Sequence, residues 1–304
     1  MLGLSIVLRV ASFLQDSPFQ LLDQISASNH DIFSKYSPET IGFEYHLGVE
    51  KDIDSSFYYP RSSVVQAMLE CLKPGCVGND LLITNCKQML RHKHISDYLE
   101  HGEYGGAWFE FDSDIARTQI YIEVTTTSIH QKEKLLSLWS HEPLIPANDM
   151  ESITYIGFVF ANNALIGLKI LLGNVSIDMP EYLHILEPCK QLTCSILQTP
   201  VFQYGLAYTQ IGIVSVSLEI DIPKKSRYSG RKRWNELLSS DLYVTNQWTT
   251  PNSTVDHFFA YRLTDKYFQV SGINHIKYDL SLSTSNLSTK LYAGVINARE
   301  LVFL

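Results

Sequence analysis

The chain has 304 residues, of which 45% are hydrophobic and 18% are charged, a composition that supports a sizeable core. Its net charge of −8 argues against nucleic-acid binding, which requires a basic surface, and no apolar run reaches the length of a membrane span. Five cysteines, an odd number without tight CxxC pairs, are typical of reduced thiols, so we expect a cytoplasmic protein. No long linker interrupts the chain, and we therefore expect one domain over residues 1–304.

The first predicted elements are helices around one strand pair. A helical pattern begins at Ser17-Pro18, where serine suits the N-cap and proline the first turn. Alternating side chains predict a strand over Ile41–Glu50, with one apolar and one acidic face, and a short partner near Phe57–Tyr59. Two helices are predicted next, over Ser62–Leu72 and Asn85–Leu99, separated by a Lys-Pro-Gly breaker.

The middle of the chain predicts two more strand pairs with a helix between them. The strands of the first pair are Ala107–Asp112 and Thr118–Thr125, and a helix follows over His130–Ser140. The strands of the next pair are Ile153–Phe160 and Ile166–Leu172, joined by an Asn-Asn turn. In both pairs the charged residues lie opposite an apolar face, which indicates a sheet with two different sides.

The last third of the chain continues the same order. Helices are predicted over Met179–Leu186, Cys189–Leu197 and Trp234–Tyr243. The strands Leu206–Ile213 and Val214–Ile222, which precede the last of these helices, have the cleanest alternation in the sequence.

The C-terminal segment, Gly272–Ile296, predicts an antiparallel hairpin with a polar turn at Ser283–Ser288. One face of this hairpin is apolar. The opposite face carries His275, Lys277, Lys290 and Tyr292. A sheet face with charge at several depths is either solvated or lines a cavity.

The chain therefore follows the order helix, strand, strand five times, at intervals of roughly fifty to seventy residues. Strand-pair meanders are antiparallel, and helices between the pairs cover the apolar face. An open sheet of ten strands leaves two edges to protect, whereas closure removes both. We predict an α+β fold: a ten-stranded antiparallel β-barrel surrounded by helices, whose polar face lines a lumen able to hold a ligand.

The predicted lumen carries both acids and bases. Its candidate site residues are Glu44, Glu110, Lys169, Glu219, His275, Lys277 and Lys290, with Tyr121 and Tyr292 beside them. A single strand lysine or glutamate is more often solvated or part of a structural ion pair than catalytic. The recurrence of the pattern over five strand pairs is what favours a binding site.

This layout resembles the ABBA prenyltransferases, whose PT barrel has five αββα repeats around ten antiparallel strands, and the resemblance covers most of the chain. The cyanobactin peptide prenyltransferases look most similar, because their first strand carries two glutamates six residues apart. The segment FEYHLGVE has that spacing, with Glu44 and Glu50. The resemblance implies transfer of a dimethylallyl or geranyl group from its diphosphate to an aromatic or peptide side-chain nucleophile in natural-product biosynthesis.

The resemblance also implies roles for the lumen residues. Glu44 would handle the proton of the acceptor, and Mg²⁺ is a possible aid that no residue cluster demands. The prenyl diphosphate and the acceptor would be bound by Lys169, Lys277, Lys290, Tyr121, Tyr292, His275, Glu110 and Glu219. Cations stabilise a leaving diphosphate, and tyrosine faces shield an allyl cation.

The chain departs from the family on the second strand pair. Glu110, Gln119 and Glu123 stand where basic residues are expected, and the predicted lumen holds more acids than bases. This departure is consistent with a cationic acceptor, a different donor or a member that has lost catalysis.

Other chemistries lack their motifs: the sequence contains no DDxxD cluster, no GxxxxGK[ST] or GxGxxG phosphate loop and no GxSxG elbow. His92, His94 and His101 have spacings that favour a solvated helix surface over a metal site. The alternative function is a non-catalytic barrel that binds a peptide or small molecule as an accessory to peptide modification, and the acid-rich lumen favours it.

Overall fold

The computed structural model describes residues 40–46, 54–61, 64, 66, 89, 91–111, 117–139, 149–162, 164–173, 186–197, 202–221 and 268–297. The helices predicted at Ser17-Pro18 and over Trp234–Tyr243 lie outside the described residues. So do Glu50 and nearly all of Ser62–Leu72 and Met179–Leu186.

The described part of the chain contains ten strands and three helices. The strands are β1 (Thr40–His46), β2 (Asp54–Pro60), β3 (Gly106–Phe111), β4 (Arg117–Glu123), β5 (Ile153–Ala161), β6 (Ala164–Gly173), β7 (Phe202–Thr209), β8 (Gly212–Asp221), β9 (Phe268–Ser281) and β10 (Leu287–Asn297). The helices are α1 (Lys93–His101), α2 (Ile129–Leu136) and α3 (Glu187–Leu197).

The strands form one antiparallel sheet that closes on itself. Each strand pairs with its neighbours in the sequence, and β1 also pairs with β10, so the sheet is a closed barrel. The closing register places Glu44 opposite Tyr292 and His46 opposite Lys290. The antiparallel sheet predicted from the alternation is confirmed. The fivefold helix–strand–strand repeat stays a prediction, because the structure describes only three of the predicted helices.

The apolar core lies between the outer face of the barrel and the helices. Ile122, Ile170, Val216 and Leu291, which the alternation places opposite the charged face, are all fully buried. Burying each such side chain stabilises the fold by about 1.5–3 kcal/mol. Helix α3 lies against β8, and α2 lies against β5. The side chain of Phe111, predicted to share this core, is outside what the structure describes.

The turn between β7 and β8 corrects one prediction. The sequence pattern placed it at Ile213–Val214, whereas the structure pairs Thr209 with Gly212. The strand β7 also begins earlier than predicted, at Phe202 instead of Leu206. Gly212 has a φ of +116°, which glycine adopts without the strain of a side chain. Ile211, which the predicted strand Leu206–Ile213 included, is 92% exposed at the tip. Because Ile211 is apolar, the alternation pattern extended the predicted strand through the turn.

The helix predicted over Asn85–Leu99 also differs. His92 has φ −76° and ψ 85°, so the described helix begins after it and runs to His101. The ring of His92 packs against Phe160 at 5.2 Å between centroids, which explains why this histidine is half-buried while His94 is exposed.

None of the three described helices has the length and apolar character needed to cross a membrane.

Candidate active site in the barrel lumen

The lumen contains a cavity of about 330 Å³. Six of the residues predicted from the alternation line it: Glu110, Tyr121, Glu219, His275, Lys277 and Tyr292. Of the other three, Glu44 contacts Tyr292 and Lys169 contacts Tyr121, while Lys290 contacts Glu44. The structure therefore brings all nine predicted residues together.

A row of polar side chains crosses four strands of the barrel wall. Lys290 lies opposite Lys277, Lys277 lies opposite Glu219, and Glu219 lies opposite Gln203. Two lysines in directly opposed positions repel each other. Each is offset by a carboxylate: the Nζ of Lys277 is 2.7 Å from Oε1 of Glu219, and the Nζ of Lys290 is 2.5 Å from Oε1 of Glu44.

Glu44 is the most enclosed carboxylate of the site, with 3% of its surface exposed. Its Oε1 also lies 3.0 Å from Nε2 of His46, and the hydroxyl of Tyr292 donates a short hydrogen bond to Oε2. Burial alone would raise the pKa of Glu44, but Lys290 and His46 outweigh burial and hold the pKa well below its usual value. Glu44 is therefore a carboxylate at neutral pH.

Glu110 has the opposite electrostatic character. Burial, and then the charge of Glu44, raise its pKa to about 7, although Lys169 and Lys290 act against them. The side chains of Glu110 and Glu44 are hydrogen-bonded to each other. Two carboxyl groups in contact do not readily ionise together, so Glu110 is partly protonated near neutral pH while Glu44 stays ionised.

Glu219 and Lys277 form the second buried ion pair. Burial would raise the pKa of Glu219, but Lys277 and His275 lower it below the usual value. Burial would lower the pKa of Lys277, but Glu219 raises it. The Nε2 of Gln203 donates to Oε2 of Glu219 at 3.0 Å, and the hydroxyl of Thr154 lies 3.1 Å from Oε1 of Gln203. This chain of contacts fixes the carboxylate in place.

Lys169 is the lumen lysine without a carboxylate partner among the described residues. Its Nζ donates to the Tyr121 hydroxyl at 3.0 Å, and that hydroxyl donates to Oε1 of Gln119 at 3.1 Å. Burial lowers the pKa of Lys169 to about 8, with Glu110 acting in the other direction. Gly157 makes room for the Tyr121 ring, because a Cβ there would lie 2.7 Å from Cδ1 of that ring.

Aromatic rings form much of the remaining wall. His275 stacks on Tyr292 at 3.9 Å between centroids with an interplanar angle of 16°, and Tyr58 lies 5.2 Å from Trp108. The hydroxyl of Tyr58 donates to Oε2 of Glu123 at 2.8 Å. These faces can stabilise a cation inside the lumen.

Several lining residues were missed by sequence reasoning: Gly42, Ser56, Thr154, Tyr155, Leu171 and Gln203. Gln203 was missed because β7 was started at Leu206. Ser56 lies on a strand predicted only as a short partner, although its alternation with Phe57 was the available signal. Tyr155 and Leu171 are ordinary strand residues by type, but Leu171 is two residues from Lys169 and pairs with Tyr155, so the alternation was the available signal for both.

Neither a family model nor a curated protein sequence matches the chain. Solved structures do match it. The 5-dimethylallyltryptophan synthase of Streptomyces coelicolor is 10% identical with a TM-score of 0.54, and the match covers 93% of each chain. The 6-dimethylallyltryptophan synthase of Micromonospora olivasterospora, solved in complex with DMASPP and Trp, is 10% identical with a TM-score of 0.53, covering 95% of this chain and 94% of that chain.

Both of these structures are PT barrels, and a likeness over nearly the whole chain at this identity shows the fold. The chain therefore has a PT-barrel fold, with a lumen in which buried lysines, glutamates and tyrosines converge.

Proposed function

We propose that the chain is a prenyltransferase that moves a dimethylallyl or geranyl group from its diphosphate to an aromatic or peptide side-chain nucleophile in natural-product biosynthesis. The observation that carries the proposal is the composition of the lumen. Three lysines, of which Lys277 is the most buried, four tyrosine or tryptophan faces and the buried carboxylates of Glu44 and Glu219 lie in or beside one cavity of about 330 Å³. The fold shared with two dimethylallyltryptophan synthases supports it.

The first step is ionisation of the donor. The bond between C1 of the prenyl group and the bridging oxygen breaks, and the electron pair stays on the diphosphate. Lys169, Lys277 and Lys290 stabilise the charge that develops on the leaving group. Lys169 is the best placed of the three, because the other two are already paired with carboxylates.

The second step joins the allyl cation to the acceptor. The rings of Tyr121 and Tyr292 face the cation and shield it from water. The nucleophilic atom of the acceptor forms the new bond with the allyl carbon and then loses a proton. Glu44 accepts that proton. A weak base suffices here, because the protonated adduct is a strong acid, and the lowered pKa of Glu44 keeps it ionised for the task.

The acceptor is aromatic or a peptide in this proposal. The Micromonospora olivasterospora enzyme was solved with Trp, which supports an aromatic acceptor of similar size. The glutamate spacing of the first strand supports the peptide acceptors of the cyanobactin branch instead. His275, stacked on Tyr292, provides a flat surface on which either kind of ring would lie.

Mg²⁺ has a limited place in this proposal. Among the residues that the structure describes, no three His, Cys, Asp or Glu side chains gather where they could hold a metal. The two most buried lumen carboxylates, Glu44 and Glu219, are occupied by lysines. We derive no step from a metal ion.

A second candidate is a non-catalytic barrel that binds a peptide or small molecule. The pairing of Lys277 with Glu219 and of Lys290 with Glu44 favours it, because a structural ion-pair network needs no anionic ligand. In that case the lumen would bind the peptide or small molecule without a prenyl diphosphate.

Calorimetry with geranyl S-thiodiphosphate, with and without Mg²⁺, separates the two candidates. A prenyltransferase binds the analogue, and Lys169→Ala, Lys277→Ala or Lys290→Ala weakens binding about tenfold or more, which is the loss of one charge-assisted contact. Incubation with prenyl diphosphates and tryptophan, tyrosine or peptides should then add one prenyl mass by mass spectrometry. No binding of dimethylallyl, geranyl or farnesyl analogues would sink the transferase proposal.

A further inference from the structure

The lumen has more carboxyl groups than lysines, which disfavours the binding of an anion. The lysines are Lys169, Lys277 and Lys290. The carboxyl groups that act on them are Glu44, Glu110, Glu219 and Asp279, with Asp221 at the mouth. Carboxyl groups outnumber lysines in this described set even when Glu110 carries a proton. A diphosphate that enters brings further negative charge into a partly desolvated space, which is costly unless positive charge enters with it.

The lysines also begin in contact with other partners. Lys290 and Lys277 hold Glu44 and Glu219 at 2.5 and 2.7 Å. An anion that takes the same ammonium groups weakens both ion pairs and adds its own repulsion to each carboxylate. The pKa values of both glutamates then rise, because each loses part of the field of Lys290, and Glu110, whose pKa is already raised, takes the proton first while Glu44 keeps His46 beside it.

The two glutamates provide a place for a compensating proton. Glu44 and Glu110 are hydrogen-bonded to each other, and Glu110 titrates near neutrality, so a small change in field is enough to complete the protonation of Glu110. The groups that face this pair come from six strands. They are His46 on β1, Tyr121 on β4, Lys169 on β6, Glu219 on β8, Lys277 and His275 on β9, and Lys290 and Tyr292 on β10.

We propose that the lumen takes up a proton onto the Glu44–Glu110 pair when an anion of the diphosphate class displaces Glu44 and Glu219 from Lys290 and Lys277. This inference rests on the proposed function, since it needs an anion in the lumen. By linkage the reverse holds as well: protonation of the pair frees the lysines and strengthens anion binding. Binding of the prenyl diphosphate would thus set the protonation state of the Glu44–Glu110 pair before the acceptor reacts.

The test is calorimetry with inorganic pyrophosphate in EDTA, at pH 7.5, in two buffers of different ionisation enthalpy. The difference in observed enthalpy counts the protons exchanged with the buffer. The titration of pyrophosphate itself is common to all proteins compared, so it cancels when a variant is subtracted. The wild type should take up about half to one proton more than Glu110→Gln or Glu44→Gln, since each variant removes one titrating member of the pair.

The control is Glu133→Gln on the exposed face of α2, which should match the wild type. Equal proton counts in the wild type, Glu110→Gln and Glu44→Gln, with binding retained, would overturn the inference and leave the proposed function standing. Absence of pyrophosphate binding to the wild type would also overturn the inference, whereas the proposed function is tested separately by binding of the prenyl analogues.

A second measurement needs no variant of the pair. Sulfate does not titrate near neutrality, so the pH dependence of its affinity for the wild type reports the protons that the protein takes up. That affinity should fall about threefold per pH unit between about pH 6 and pH 7.5, the slope for uptake of half a proton. An affinity that is constant over this range would contradict the inference even if both glutamine variants failed to fold.

Discussion

Glu44 on the first strand and Lys290 on the last are joined across the closing seam of the barrel, with 2.5 Å between Oε1 and Nζ. Both side chains are largely buried, so this pair is at once part of the barrel closure and part of the candidate site.

Breaking this pair from one side should destabilise the protein strongly. Lys290→Met leaves Glu44 buried without its main counter-charge, and the expected loss in unfolding free energy is about 3–5 kcal/mol. The double variant Glu44→Gln/Lys290→Met should recover most of that loss, because no unpaired charge remains. Urea denaturation at pH 7 measures both, with Lys134→Met on the exposed face of α2 as control. If the double variant were as unstable as Lys290→Met, the instability would not come from the unpaired charge of Glu44.

Lys169 should behave differently from the other two lysines. Its Nζ contacts the Tyr121 hydroxyl, and no ion pair joins it to a carboxylate of the described residues. Lys169→Met should therefore leave the unfolding free energy within about 0.5 kcal/mol of the wild type or raise it, since a buried charge is removed. Binding of geranyl S-thiodiphosphate should weaken about tenfold or more. Unchanged analogue affinity with a lowered stability would assign Lys169 a structural role.

Glu110 should make stability fall as pH rises. Its pKa in the folded protein is about 7, above the ordinary 4.5, so the folded state binds the proton more tightly than the unfolded state. The stability contributed by this proton is present below about pH 4.5 and is lost as pH rises to about 7. Glu110→Gln removes the titration, so its stability relative to the wild type should increase between pH 5 and pH 8 by up to about 3 kcal/mol.

Glu44 and Glu219 have the opposite sign, because their pKa values are lowered in the folded state. Their contribution is lost as pH falls through the folded pKa, in both the wild type and the Glu110→Gln protein. Thermal unfolding measured at intervals from pH 4 to pH 9 separates the two effects. A constant difference between the two proteins over this range would rule out a raised pKa for Glu110.

Lys132 offers a test of stability without function. It is 2% exposed, and its Nζ donates to the backbone oxygens of Met150, Glu151 and Ile153 at 3.2, 3.0 and 2.8 Å. Lys132→Met fills the space of the stem but leaves these carbonyls without a donor, which should cost about 1–3 kcal/mol of unfolding free energy. Analogue binding in the lumen should be unchanged, because the site lies on the other face of the sheet. Weakened binding would show that the backbone of residues 150–153, which Lys132 holds, helps to position the side chains of the lumen.

Period-two alternation was sufficient to predict which side chains share a face. Lys277 and Glu219 were placed on one side of the sheet from local pattern alone, and Ile122 and Val216 on the other, because the side-chain period of a strand is two residues and does not depend on the partner strand. The same local rule failed at Ile211, where an apolar residue in a turn extended the apparent strand. Gln203 was lost from the predicted site for a separate reason, because the predicted strand began at Leu206.

What only the tertiary structure decided is which of these inward residues meet. The contact between Glu44 and Lys290 depends on the register of β1 against β10, and the contact between Glu219 and Lys277 on that of β8 against β9. A strand pattern carries the sidedness of each residue but not its height in a closed barrel, which is set by strand stagger around the whole ring. The pKa values of Glu44 and Glu110 diverge for the same reason: two similar glutamates acquire opposite character because closure places one against a lysine and the other against that glutamate.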